Sequence, residues 1–123
     1  MTEDIKRNLI ESFGRAWERG EADAMAGVFT EGGKFVPDPF QRAVIGRSAI
    51  AAYWADVPKE QADIAFRLGE IFTAGPWFSA EFKCTFRRRR TGELMDVRGC
   101  VFCEMEQDKI SEMRMYWLRG RKK

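Results

Sequence analysis

Phe78-Ser79-Ala80-Glu81-Phe82-Lys83-Cys84-Thr85-Phe86-Arg87 alternates apolar and polar side chains without a break over residues 78–87. Successive side chains of a strand point to opposite faces, so a period of two marks a strand with one buried face. The buried row is Phe78, Ala80, Phe82, Cys84 and Phe86. The pattern spreads both ways. Upstream, Ile64, Phe66, Leu68 and Ile71 open a strand run that Gly75-Pro76 turns. Downstream, Thr91-Gly92 leads into a long strand over 93–106, Gln107-Asp108 turns again, and a last strand covers 109–118. The basic tail, 119–123, is expected to fray.

Before the sheet the period is helical. Ile5, Leu9, Phe13, Ala16 and Trp17 make one apolar face of a helix over 2–19, with Thr2 as its cap and Gly20 as its stop. A second helix is expected over 22–29, and Gly32-Gly33 then breaks the chain. Residues 34–37 read as a short strand and 41–46 as a loop. A third helix over 47–56 carries Ile50, Tyr53 and Trp54 and closes at Val57-Pro58. Three helices leading into long antiparallel strands give an α+β class. The length of 123 residues suits a single domain over 1–123.

Composition narrows the function classes. A formal net charge of +2 is too small to imply a nucleic-acid or membrane partner. No apolar run approaches the roughly 20 residues of a spanning helix. Residues 1–7 are charged and lack the apolar centre of a signal peptide, so the expected compartment is the cytoplasm. There are 3 Cys and 0 His. Cys100 and Cys103 share C-x-x-C spacing, but the chain has no second pair and they lie in an apolar strand. Neither a metal nor a cofactor is expected, and the thiols read as small apolar residues.

Phe35-Val36-Pro37-Asp38-Pro39-Phe40 is the stretch that carries chemistry. The prolines fix φ and bias Val36 and Asp38 towards extended backbone. Two readings of Asp38 stand. Among apolar rings its carboxylate suits a general base. In water, the same residues form an ordinary Pro-Asp-Pro turn.

The outer sheet face carries Glu81, Lys83, Thr85, Arg87, Asp96, Arg98, Cys100 and Phe102. Helices can cover only one face, and this mixture suits a partner surface. A homodimer through it is expected. Arg87-Arg88-Arg89-Arg90 is either a phosphate-binding patch or a solvated hairpin tip.

The order helix, short helix, strand, helix, long sheet resembles the nuclear transport factor two-like superfamily, whose cystatin-like fold wraps a curved sheet around helices into a cone. Val36-Pro37-Asp38-Pro39-Phe40, Ile45-Gly46-Arg47 leading to Ile50-Ala51-Ala52-Tyr53, and Lys109-Ile110 leading to Met113 and Tyr116-Trp117 are similar to ketosteroid isomerase segments in the same order. SnoaL-type cyclases, scytalone dehydratase and limonene epoxide hydrolase share the fold.

The resemblance implies that Asp38 stands at the isomerase's general base. It also puts Phe13 at the oxyanion tyrosine, and Gly99 or Val101 at the protonated acid. None of these three donates from its side chain, and losing one such donor costs about a hundred- to a thousandfold in rate. Authentic ketosteroid isomerase activity is therefore not expected. Asp96 and Arg98 resemble part of the hydrolase's set, but alternation puts them opposite Val97, Gly99 and Val101.

The expected cavity has Asp38 and Tyr53 as polar groups. Its expected walls are Phe13, Trp17, Phe35, Phe40 and Trp54, closed from the sheet by Phe82, Val101, Met113 and Trp117. These rings either line a cavity for a small apolar molecule or fill the interior. Two functions fit this pattern. One is acid–base catalysis of isomerase, cyclase or hydrolase type without metal; the other is a non-catalytic, dimeric ligand-binding or interaction scaffold.

Overall fold

The alternation over 78–87 becomes β4 (Trp77–Arg88), which pairs antiparallel with β3 (Gln61–Ala74) on one side and β5 (Leu94–Glu106) on the other. β5 pairs antiparallel with β6 (Lys109–Arg121). β6 pairs in parallel with β1 (Phe29–Val36), and the two-residue β2 (Val44–Ile45) closes that edge. The result is a mixed six-stranded sheet in the order β2-β1-β6-β5-β4-β3. Register shifts in β3, between Ala62 and Ala65 and between Leu68 and Ile71, bend it as bulges do. The computed structural model describes residues 2–121, with side chains for 4–120.

Helices α1 (Thr2–Arg19), α2 (Ala22–Ala26), α3 (Arg47–Ala55) and the single turn α4 (Val57–Glu60) complete the fold. The core joins Leu9, Ile10 and Phe13 of α1 to the inner row of β4 and to Val97, Val101 and Met113 from β5 and β6. Gly14 fits α1 to β3: a Cβ there would lie 2.2 Å from the Phe66 ring. The helix tolerates the glycine, which costs about 1 kcal/mol relative to alanine, because the contact needs it.

Several boundaries differ from the sequence reading. On α1, Ile5 is exposed and Lys6 is buried. The stripe runs through Lys6, Ile10, Phe13 and Trp17, a spacing of fours and threes; the Lys6 Nζ stands over the Phe78 ring, 5.5 Å from its centroid, and reaches the Gly75 carbonyl at 3.5 Å. α2 ends at Ala26 rather than 29, because Val28 already offers its carbonyl to the Ile110 N–H at 3.0 Å. Gly32-Gly33 does not break the chain. It bulges β1, where the register shifts between Phe29 and Lys34. The loop over 41–46 contains β2, paired with Lys34 and Phe35. β6 passes 118, with Arg119 opposite Val97 and Gly120 opposite Asp96. The capping expected of the Thr2 side chain, and the fraying expected of residues 122–123, lie outside the described residues.

Candidate functional site

Where the inner row of β6 leaves the core, the rings stop interlocking and leave a hollow of about 130 Å³. α1 contributes Trp17, β1 contributes Phe35 with Pro37 just beyond it, and α3 contributes Tyr53 and Trp54. The sheet closes it with Phe86, Val97, Met115 and Trp117. Val57, Gln61 and Arg119 complete the rim. Phe35 packs edge-on to Tyr53 at 5.4 Å, and Trp17 to Trp54 at 5.3 Å, so these rings are held by one another.

Two indoles are anchored. Trp17 Nε1 donates to Gln61 Oε1 at 2.9 Å, and Trp117 Nε1 donates to the Pro37 carbonyl at 2.8 Å. The second bond ties β6 to the segment that delivers Asp38. Trp54 Nε1 is buried and has no acceptor among the described residues. A buried donor left unpaired costs about 1–3 kcal/mol, a local cost of packing this indole among its neighbours.

Asp38 is half-buried, next to Pro37. Its Oδ1 accepts from the Phe40 N–H at 2.8 Å and its Oδ2 from Gln41 Nε2 at 2.6 Å, while the Asp38 carbonyl accepts from the Gln41 N–H at 3.2 Å. This is a side-chain-stabilised turn. A carboxylate has about four acceptor positions, so two bonds leave it capacity for more. Burial first, then the charges of Asp38 and Glu60, push the Tyr53 hydroxyl above its ordinary pKa of 10.0. At neutral pH it is a phenol that donates.

Of the expected wall, Trp17, Phe35, Trp54 and Trp117 line the hollow, with Tyr53; of the two expected polar groups, Asp38 is not on the wall, since its carboxylate is engaged in its own turn just past Pro37. The other residues of the expected wall do not line the hollow either. Phe40 is 96 % exposed, because the turn at Asp38 carries the chain outward. Phe13 and Met113 are at 0 % and Val101 at 1 % exposure, deep in the core. Phe82 is likewise off this wall: it stacks on Phe66 with ring centroids 5.8 Å apart.

Gly99 has a structural role, since a Cβ there would lie 2.0 Å from the Tyr116 carbonyl oxygen. Asp96 and Arg98 are on the outer face, where Arg98 donates to both Asp96 oxygens at 3.1 and 3.0 Å. Cys100 and Cys103, an odd number of residues apart, point to opposite faces. Burial raises the Cys84 thiol to about 12 and the Cys103 thiol well above its ordinary value.

Phe86, Met115, Gln61 and Arg119 are absent from the sequence-based wall. The alternation carries a signal for three of them. Phe86 continues the row of Phe82 and Cys84, and Met115 and Arg119 flank Trp117 at the same parity. Gln61 has no such signature.

With this geometry, a SnoaL-like domain matches residues 10–113, and the chain belongs to the SnoaL-like family. No curated protein matches the sequence. Among solved structures, a hypothetical protein with a ketosteroid isomerase-like fold from Catenulispora acidiphila, in complex with trimethylamine, is similar at TM-score 0.80 and 16 % identity, over 88 % of this chain and 83 % of the other. The epoxide hydrolase/cyclase-like enzyme SalBIII, with a role in pyran ring formation in polyether salinomycin, is similar at TM-score 0.83 and 16 % identity, over 98 % of each chain. An LEH-like epoxide hydrolase from M. tuberculosis is similar at TM-score 0.74 and 13 % identity, over 90 % of this chain and 80 % of the other. At these identities the likeness establishes the fold. No helix among the described residues is long and apolar enough to cross a membrane.

Proposed function

We propose that this chain binds a small, largely apolar molecule of about one ring in the hollow between α1, α3 and the inner face of β6. The carrying observation is the hollow itself, about 130 Å³ with a wall of aromatic and aliphatic side chains. An engineered apolar cavity of about 150 Å³ holds benzene, so the size suits one ring and not a steroid. Tyr53 and Gln61 supply polar groups on its wall. The trimethylamine bound to the Catenulispora protein supports a small-molecule role for the fold. Calorimetric titration with phenol and with naphthol tests the reading. Phenol should bind and naphthol should not; absence of binding by phenol and comparable single-ring compounds would remove it.

A second reading draws on Asp38 adjoining the lining residue Pro37, with its charge, after burial, one cause of the raised Tyr53 hydroxyl. In it Asp38 accepts a proton from an acidic carbon or a water, and Tyr53 donates to the oxygen where charge develops. The reaction would be of isomerase, cyclase or hydrolase type. Asp38→Asn should abolish turnover of any substrate found while keeping its binding; unchanged turnover removes Asp38 from the chemistry.

The outer sheet face is assigned to a second copy of the chain. Leu118 is 82 % exposed there, beside Phe102 and Tyr116, whose rings meet at 5.6 Å. Paired charges, Arg98 with Asp96 and Arg114 with Glu112, flank this strip and suit a self-complementary contact. Sedimentation showing only monomer at micromolar concentration would overturn the assignment.

A further inference from the structure

The aromatic hollow does not end at Arg119. A second, polar hollow of about 640 Å³ shares Gln61, Phe86 and Arg119 with it and so continues its mouth. Cations dominate this vestibule. Lys59, Arg88, Arg89, Arg90 and Arg119 line it, against one carboxylate, Glu60.

Their partners differ. Lys59 is paired with Asp56 at 3.1 Å, and Arg88 lies 3.8 Å from Glu93. Arg89 is held by neutral acceptors. Its Nε donates to the Pro58 carbonyl at 2.7 Å and its backbone N–H to the Glu60 carbonyl at 3.0 Å. Its position is thus fixed while its charge is not neutralised. Arg119 ends the inner row Met113, Met115, Trp117 and makes no ion pair with any described residue. A cation at the end of an apolar row, at the mouth of an apolar hollow, is placed for an anion whose remaining atoms are apolar. A guanidinium offers five N–H donors in a planar fork that matches the oxygens of a carboxylate or phosphate.

We propose that the ligand is an amphipathic anion. Its ring lies in the hollow, and a carboxylate or phosphate on a short tether reaches Arg119, with Arg89 as the second contact. This rests on the hollow being the ligand site and narrows what the hollow takes. The aromatic wall sets the size of the ring, and the vestibule sorts ligands by charge.

Calorimetric titration of the full chain with phenylacetate, phenyl phosphate, neutral benzyl alcohol and inorganic phosphate tests it. The aryl anions should bind about tenfold or more tighter than the alcohol at low salt, since hydrogen bonds to charged groups outweigh neutral ones. Added salt should shrink that margin. The tighter of the two anions identifies the tail. Arg119→Gln should remove the margin, weakening the aryl anions about tenfold or more relative to benzyl alcohol; if that variant fails to fold, Arg89→Gln should weaken anion binding in the same selective way. Equal affinity for the alcohol and the anions overturns the proposal and leaves the hollow as a ligand site. Inorganic phosphate binding as tightly as phenyl phosphate also overturns it, because the ring then contributes nothing. Binding by none of the three ring compounds overturns the reading of the hollow itself.

Discussion

The inner face of the sheet has two ends, and they differ in how completely helices fill them. At the closed end Phe13, Phe29, Phe78, Ile110 and Met113 are all at 2 % exposure or less. At the open end Phe86, Val97, Met115, Trp117 and Arg119 surround a hollow. β6 supplies residues to both, with Met113 in one and Trp117 and Arg119 in the other. The same alternation therefore supplies a close-packed core at one end and the wall of a hollow at the other. Phe13, fully buried, backs the hollow from the core side against Trp17 and Trp54. Beyond Trp17 the helix finishes, and Tyr53 and Val57 cover the other end without plugging it.

The largest effect should come from emptying the closed end. Phe13→Ala removes a fully buried ring and should destabilise the fold by about 3–5 kcal/mol in denaturant unfolding. Tyr53→Phe at the open end should cost under about 1 kcal/mol in the same measurement, since a part-exposed hydroxyl makes a small net contribution. Similar losses at both sites would erase the distinction between core and cavity.

The closed end is also the more legible in the sequence. Alternation over 78–87 defines the inner row, and helical spacing finds Phe13. The open end reads less well, for physical reasons. Phe40 is as apolar as Phe35, and only the hydrogen bonds of the Asp38 turn carry it into solvent. Arg119 reads as part of a basic tail, because nothing local says that β6 continues to Arg121; its pairing with β5 decides that. Lys6 takes a place expected for Ile5, since a long aliphatic stem can bury as an apolar side chain does.

Next in size is the strand seam behind the hollow. Gly99→Ala forces a methyl group against the Tyr116 carbonyl and the Trp117 backbone, and should cost about 1–3 kcal/mol or more in thermal unfolding. An unchanged Tm would mean that β5 and β6 approach less closely there.

Trp117→Phe keeps the ring contact but removes the bond to the Pro37 carbonyl, worth about 1 kcal/mol. Hydrogen exchange should rise selectively in residues 37–41, the segment bearing Asp38. Uniform exchange throughout the chain would show that the bond does not hold this segment.

Alkaline pH should weaken the fold through two buried acids. Cys84, ordinarily at 9.0, is raised to about 12, and Tyr53 is raised above 10.0. Both bind protons more tightly folded than unfolded, so their stabilising effect is complete below the unfolded values and is lost as pH rises through the folded ones. Stability should fall progressively from pH about 9 upward. The smallest expected effect is on Tyr53 itself. In a Tyr116→Phe background, where Tyr53 is the remaining tyrosine, Asp38→Asn should lower the midpoint of tyrosinate absorbance; no shift would place the carboxylate too far from the phenol to act with it.

The most direct measurement uses the four indole N–H signals in a nitrogen–proton correlation spectrum, monitored while phenylacetate is added. Trp17, Trp54 and Trp117 line the hollow, and Trp77, at the start of β4, does not. The expected result is a saturable shift of the first three signals, with Trp77 unmoved. A shift of Trp77 alone, or of none, would contradict a ligand in the hollow.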